Sequence, residues 1–233
     1  MASPRTLPIV AIDGPAGAGK SSVARRLAAR LGFVLVDTGA LYRTVALAAE
    51  RAGVSFDDGE ALERLTHSLV EDNAIVFERA SGGPRVKLFG DDVSEAIRTP
   101  EMGMGASTVS AHSGVRAALL DLQRKMGESG GVVLEGRDIG TVVFPDAEVK
   151  FFLTASPEIR AGRRHKELLD KGQSVTFERI LEEVKQRDAQ DTGRAHAPLR
   201  QADTAILIDS SASTVDITVS KMADIVLAKI AGQ

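Results

Sequence analysis

The run Gly14-Pro15-Ala16-Gly17-Ala18-Gly19-Lys20-Ser21 places glycines at both ends and in the middle, then sets an amine beside a hydroxyl. Residues of these types at this spacing can grip a chain of phosphates. The glycines let the backbone turn tightly and bring its N–H groups to the oxygens, Lys20 reaches the β/γ-phosphates, and the Ser21 hydroxyl can ligate Mg²⁺. Gly14, Pro15, Ala16, Gly17, Ala18, Gly19, Lys20, Ser21 and Ser22 are therefore the candidate contacts for a nucleoside triphosphate. An apolar run at 7–12 precedes the loop, and a helix predicted over 21–31 follows it, with Val23, Leu27 and Leu31 at helical spacing. A triphosphate on this loop sits at a helix N-terminus.

Three further clusters carry charge where a ligand could use it. Asp37-Thr38-Gly39-Ala40-Leu41-Tyr42-Arg43 follows a second apolar run and reads either as a helix cap with a solvated arginine or as an anion clamp built on Arg43. Leu134-Glu135-Gly136-Arg137-Asp138-Ile139-Gly140 puts three charges at another strand end. A carboxylate there can hold Mg²⁺ through its waters, and an Arg–Asp pair can offer a planar donor and an acceptor to a base. Arg187, Asp191 and Arg194 are spaced to place two guanidiniums and a carboxylate on one helical face. Pro198 then ends that stretch, and 192–199 is a candidate hinge for a lid. Arg160, Arg163 and Arg164 add cationic charge just upstream. Ser107 and Arg116 fall on two adjacent helical stretches, Arg116 beside the apolar stripe Val115, Leu119, Leu122 and Met126. The four histidines share no ligand spacing.

The elements that must position these groups alternate regularly. Strand-like runs at 7–12, 33–36, 132–135, 149–153 and 204–209 are separated by helical patterns, which predicts a doubly wound α/β fold with a mostly parallel sheet. The last helix carries the apolar stripe Val215, Val219, Met222, Val226 and Ile230. Two segments break the alternation. Over 73–93, strands at 74–77 and 85–89 flank Ser81-Gly82-Gly83-Pro84, a turn signal. Over 157–194 runs a charged helical stretch, with Ser156 as N-cap and Pro157 at its first position.

Composition narrows the classes further. The 233 residues are 43% hydrophobic and 26% charged, enough for a sizeable core of an ordinary globular kind. A net charge of −3 supplies no global field toward nucleic acid or an anionic membrane. The chain has no cysteine, which excludes disulfides, thiolate nucleophiles and Cys-ligated metals. No apolar run approaches membrane-spanning length, and a cytoplasmic location is expected.

Taken together, IDGPAGAGKSS, DTGALYR, EGRDIGTVVFPDA and the RDxxDxxRxxxPL pattern of 187–199 resemble the bacterial cytidylate kinases, a family of P-loop nucleoside monophosphate kinases. The resemblance runs nearly end to end. It implies a core of 1–66, 101–156 and 198–233, a monophosphate-binding insertion at 67–100 and a lid at 157–197. It implies that Thr38 and Arg43 hold the acceptor monophosphate, and that Ser107, Arg116, Arg137 and Asp138 meet cytosine or the phosphate. Arg187, Asp191 and Arg194 match lid and sugar–phosphate contacts. Gln190 and Thr192 stand where some relatives carry further arginines, and Arg163 or Arg164 is the expected substitute.

The implied reaction is phosphoryl transfer from ATP to CMP or dCMP, with Mg²⁺, by a monomer that needs neither nucleic acid nor membrane. An acceptor that is already an oxyanion needs no strong base, so catalysis falls to Lys20, Arg187, Asp191 and Arg194 as positioning and charge-stabilising groups. Asp13, Asp37 and Glu135 remain equal candidates for holding the waters of the metal. Another small-molecule kinase of the same fold, such as a shikimate kinase, and a GTPase-like switch are the alternatives. The guanine-reading NKxD motif, which the switch requires, is absent.

Overall fold

The computed structural model describes residues 5–78 and 85–232. In chain order, β1 (Ile9–Asp13), α1 (Lys20–Leu31), β2 (Val34–Asp37), α2 (Thr38–Arg51) and α3 (Gly59–Glu71) come first. Next are β3 (Ile75–Glu78), β4 (Arg85–Leu88), β5 (Asp91–Asp92), a 3₁₀ turn (Ala96–Arg98), α4 (Pro100–Val109) and α5 (Ser113–Gly127). Then follow β6 (Val132–Gly136), a π turn (Ile139–Val143), β7 (Val149–Thr154), α6 (Pro157–Asp170), α7 (Phe177–Gly193), β8 (Ile206–Asp209) and α8 (Val215–Ala231). They gather into two compact units, Met1–Val36 with Ser129–Gln233, and Asp37–Glu128.

The first unit is built on a five-stranded sheet of order β2-β6-β1-β7-β8. β1 pairs in parallel with β6 on one side and with β7 on the other, and β7 pairs in parallel with β8. The strand order thus reverses at β1, so the loop leaving β1 lies at a topological switch point, where open α/β sheets bind ligands. All five residues of β1 are buried, as the continuous apolar run requires of a central parallel strand. Val10, Ile12, Val133, Phe151 and Leu153 pack against Val23, Leu27, Val219, Met222 and Val226, so the stripes of α1 and α8 share one core. The predicted strands and both stripes are present, within a residue or two at their ends.

α6 and α7 belong to the same unit and form a small core of their own, in which Ala161, Leu168 and Ile180 meet Phe177 and Val184. The sequence reads as one helical stretch over 157–194; the structure breaks it. α6 ends at Asp170, Gly172 adopts φ 75°, and Thr176 caps α7 by accepting from the Arg179 N–H. Ser156 caps α6 as its position before Pro157 predicts.

In the second unit, α2 packs on α4 and α3 on α5. β3 and β4 pair antiparallel, and a short β5 adds a third strand beyond the two read from sequence. Ile75, Val86 and Leu88 of this sheet enter the same core as Leu41, Val45, Leu62, Val109 and Leu119 of the helices. That shared core extends the compact body well beyond 67–100. The turn signal at 81–84 lies outside the described residues. Among the described residues, no helix is long and apolar enough to cross a membrane.

Candidate active site

The loop after β1 has little freedom. A Cβ on Gly14 would come within 1.9 Å of the Leu153 carbonyl oxygen, so only glycine lets the chain leave β1 beside β7. Gly17 and Gly19 adopt φ 76° and 92°, in the left-handed region, and α1 begins at Lys20. The first turn of α1 therefore points its N–H groups into the loop. Lys20 is buried, and its Nζ donates to the Pro15 carbonyl at 2.8 Å, across the loop's own ring. Burial pushes the Lys20 ammonium down to about 7, and Arg137 adds to the shift against the opposing pull of Glu135 and Asp191.

Around this loop stand the charged residues of the β6 end and of α7. Ser21 Oγ donates to Glu135 Oε2 at 2.9 Å. Of the three candidate carboxylates, Glu135 thus touches the loop hydroxyl. Asp13 is engaged otherwise. Its two oxygens accept from the Ile139 and Gly140 N–H groups at 2.8 and 2.7 Å, tying the end of β1 to the segment just after Arg137 and Asp138. Burial pushes the Asp13 carboxyl up to about 6, against those two N–H donors, with Asp138 adding to the rise.

Arg137 Nε donates to Asp191 Oδ2 at 2.7 Å, and Arg194 Nη2 donates to the other oxygen. Asp191 is 1% exposed. Burial raises its pKa, but the guanidiniums of Arg137 and Arg194 outweigh that and hold it below the usual carboxylate range. Arg187 acts electrostatically on both Lys20 and Asp191. Arg187 and Asp191 lie on α7 as the spacing predicts. Arg194 does not: α7 ends at Gly193, and Arg194 is the extended residue after it, folded back onto Asp191 one turn earlier. Asp138 is buried at the start of the π turn. Lys20, Ser21, Glu135, Arg137, Arg187, Asp191 and Arg194 thus form one connected group in the first unit.

The remaining predicted residues lie in the second unit. Thr38 is the buried first residue of α2; Asp37 caps that helix by accepting from the Ala40 N–H, and its other oxygen accepts from Arg43 Nη2 at 2.7 Å. The cap reading therefore holds for Asp37, and the same carboxylate orients Arg43. Ser107 is buried on α4. The Arg116 guanidinium lies 5.5 Å from the Tyr42 ring centroid, a cation–π contact between α5 and α2, and its Nη1 donates to the Ser110 carbonyl at 3.4 Å.

Several engaged residues carry no signal in the sequence. Asp188, beside Arg187 on α7, grips the buried Arg160 through both carboxylate oxygens. Ser210, just past β8, bonds to the Ala18 carbonyl. Arg163, expected as a lid cation, instead donates to the Ser210 carbonyl and hydroxyl. Arg164 pairs with Glu167 at the surface. Among the described residues, no group of three or more His, Asp or Glu side chains is placed to hold a metal ion alone. A hydroxyl beside a carboxylate, as in Ser21 and Glu135, fits a cation such as Mg²⁺, which keeps most of its waters and shares its shell with phosphates.

A glycine loop at the switch point of a parallel sheet, feeding a helix through a lysine and a hydroxyl, makes this chain a P-loop α/β protein. The family model for cytidylate kinase matches residues 10–228. A cytidylate kinase from Geobacter sp. (strain M21) is 57% identical over 208 residues, 89% of this chain and 88% of the relative. One from Syntrophotalea carbinolica is 55% identical, covering 94% and 91% of the two chains, and one from Pseudomonas aeruginosa PAO1 is 50% identical, covering 91% and 92%. The chain belongs to the cytidylate kinase family, whose members are nucleotide-dependent kinases.

Proposed function

We propose that this chain transfers the γ-phosphoryl group of ATP to CMP or dCMP, giving ADP and CDP or dCDP. One observation carries the site assignment: Lys20, inside the phosphate loop, shares one electrostatic neighbourhood with Arg137, Arg187 and the Asp191 carboxylate. Donor and acceptor together bring several negative charges to the reaction, so a group of cations is what the chemistry needs.

Gly14 to Ser22 hold the triphosphate of ATP, with Lys20 on the β/γ-phosphates. Arg187 and Arg194 gain strength as charge spreads over the transferring group, and one such arginine contributes roughly 10³–10⁵ in rate. Asp191 keeps Arg137 and Arg194 in place. Thr38, Arg43 and Arg116 take the acceptor monophosphate, and Ser107, Asp138 and Arg137 read cytosine or the phosphate beside it. Ser21, with Glu135 behind it, would hold Mg²⁺, which when bound neutralises and orients the β/γ oxygens. Residues 157–197 act as a lid, hinged at 192–199, that excludes water and so favours transfer to the nucleotide over hydrolysis. The protein works as a cytoplasmic monomer without nucleic acid or membrane.

ADP release by the purified chain with ATP and each of CMP, dCMP, UMP, AMP, GMP and shikimate tests this reading. CMP and dCMP are expected to stimulate release most. No stimulation by any acceptor overturns the assignment, and stimulation by shikimate alone makes the chain a hydroxyl kinase.

A further inference from the structure

The carbonyls of the phosphate loop are held by side chains from outside it. Arg160 Nη1 donates to the Ala16 carbonyl at 3.0 Å, and its Nε donates to the Ala155 carbonyl at 2.9 Å. The Asp188 carboxylate, accepting from both terminal nitrogens, holds the guanidinium in that plane. Two residues along the loop, Ser210 Oγ lies 3.0 Å from the Ala18 carbonyl. The same hydroxyl lies 3.1 Å from the Thr154 carbonyl, but that oxygen already accepts the Ser210 N–H at 2.8 Å. Arg163 Nη1 donates to the hydroxyl at 3.1 Å and reaches the same Ala18 carbonyl at 3.5 Å, so the Ser210 hydroxyl, at 3.0 Å, is the nearer of two donors on Ala18. Arg160 and Ser210 are both buried.

A trans peptide is planar, with its C=O and N–H pointing in opposite directions. The Ala16 carbonyl shares a peptide with the Gly17 N–H, and the Ala18 carbonyl shares one with the Gly19 N–H. Anchoring the two carbonyls outside the loop therefore aims the two N–H groups inward. The left-handed φ values of Gly17 and Gly19 set these peptides into the alternating arrangement that makes a concave anion nest. Glycines alone would leave that arrangement to chance, because they are the residues with most backbone freedom to lose. A guanidinium on the peptide oxygen also polarises the amide and strengthens its N–H as a donor.

We infer that Arg160 and Ser210 are positioning residues, which pre-aim the Gly17 and Gly19 N–H groups at the phosphates of the nucleoside triphosphate. The inference rests on the proposed role of the loop. Neither residue belongs to the Gly14 to Ser22 motif, and Ser210 is 192 residues from the carbonyl it holds.

The test compares wild type with Ser210→Ala and Arg160→Gln, measuring KM for ATP and for CMP separately, and the ¹⁵N–¹H signals of Gly17 and Gly19 with and without ATP. Loss of one anchor is expected to raise KM for ATP about three- to tenfold while KM for CMP stays unchanged. In Ser210→Ala the Gly19 signal moves in the free protein, and its further shift on adding ATP shrinks. Equal KM values for ATP in wild type and Ser210→Ala, or KM for ATP and CMP rising together, overturn the inference. Ser210→Ala removes one oxygen and keeps the test open where Arg160→Gln does not fold. A wild type that moves its Gly17 and Gly19 signals with ATP but never phosphorylates CMP overturns the proposed function instead, and the inference is then decided by the Gly19 signal, which must move in free Ser210→Ala and shift less on adding ATP.

Discussion

The Asp191 carboxylate accepts from Arg137 Nε at 2.7 Å across 54 residues of sequence, and its second oxygen accepts from Arg194. An almost fully buried anion therefore holds two of the candidate cations. Removing it leaves two guanidiniums crowded together without their counter-charge, the case in which breaking a buried pair is most costly. Asp191→Ala is expected to lose about 3–5 kcal/mol of stability at neutral pH, read by urea denaturation. Its folded pKa lies below the ordinary value of 3.8, so the contribution is complete above that value and is lost as pH falls through the lowered one. The gap between wild type and variant should accordingly narrow in strong acid. A variant as stable as wild type at pH 7 would show that the arginines are held by other means.

Lys20 supplies a second prediction, because its ammonium is pushed down to about 7 while it faces the Pro15 carbonyl. At pH 8 the free protein holds this side chain mostly neutral, whereas the phosphates of ATP favour the charged form. ATP binding at pH 8 should therefore take up about one proton. Calorimetry in buffers of different ionisation enthalpy measures that uptake directly. Lys20→Met should bind ATP more weakly and lose the uptake; an identical proton count in wild type and Lys20→Met would mean that the lysine is already charged without nucleotide.

The periodic features of this fold are legible in the sequence because burial acts on every residue of an element. The stripe of α8 and the run of β1 repeat at the spacings their packing requires, so neither needs knowledge of a partner. The phosphate loop is legible for a different reason, since its glycines answer to backbone geometry within eight residues. What escapes is the contact that joins one side chain to one distant backbone atom. Asp13 finds the Ile139 and Gly140 N–H groups 126 and 127 residues away, and Arg160 finds the Ala16 carbonyl 144 residues away. Such bonds leave no period and no composition. The end of α7 at Gly193 escapes for a local reason: Arg194 fits the helical spacing, but its fold back onto Asp191 removes it from the helix.

Asp13 gives the third prediction. Its carboxylate has two acceptor oxygens on two N–H groups. Asp13→Asn keeps the shape but turns one acceptor into a donor facing an N–H, which leaves a buried donor unpaired. A loss of about 1–3 kcal/mol is expected at pH 8. The folded pKa of about 6 lies above the ordinary 3.8, so the folded state binds more protons than the unfolded one between these values. This group's contribution to stability therefore falls as pH rises from 3.8 to 6 and is then level. The Asn side chain does not titrate, so below pH 6 the wild type gains stability relative to the variant, and the penalty of the amide should grow toward pH 5. Thermal unfolding of both proteins across that range checks the sign, and a penalty that shrinks on acidification would count against burial having raised the Asp13 carboxyl.

Asp138 carries the prediction that separates a cytosine reader from a general phosphate site. Cytosine offers an N4 amine where uracil offers O4, an acceptor, so a carboxylate favours the first and opposes the second. Asp138 is buried, two residues past the end of β6, and the Asp13 clamp on Ile139 and Gly140 fixes the backbone directly after it. A buried group of this kind discriminates well, because the wrong base leaves it unpaired. Asp138→Ala should lower kcat/KM for CMP about 10- to 100-fold. UMP, which gains nothing from the carboxylate, should lose less, so the ratio of CMP to UMP turnover falls. ATP binding, governed by the phosphate loop, should stay close to wild type. Steady-state rates with both acceptors and calorimetric ATP titration of the same preparation test all three parts. Equal losses for CMP and UMP would remove Asp138 from base recognition and leave it a structural role at the head of the π turn.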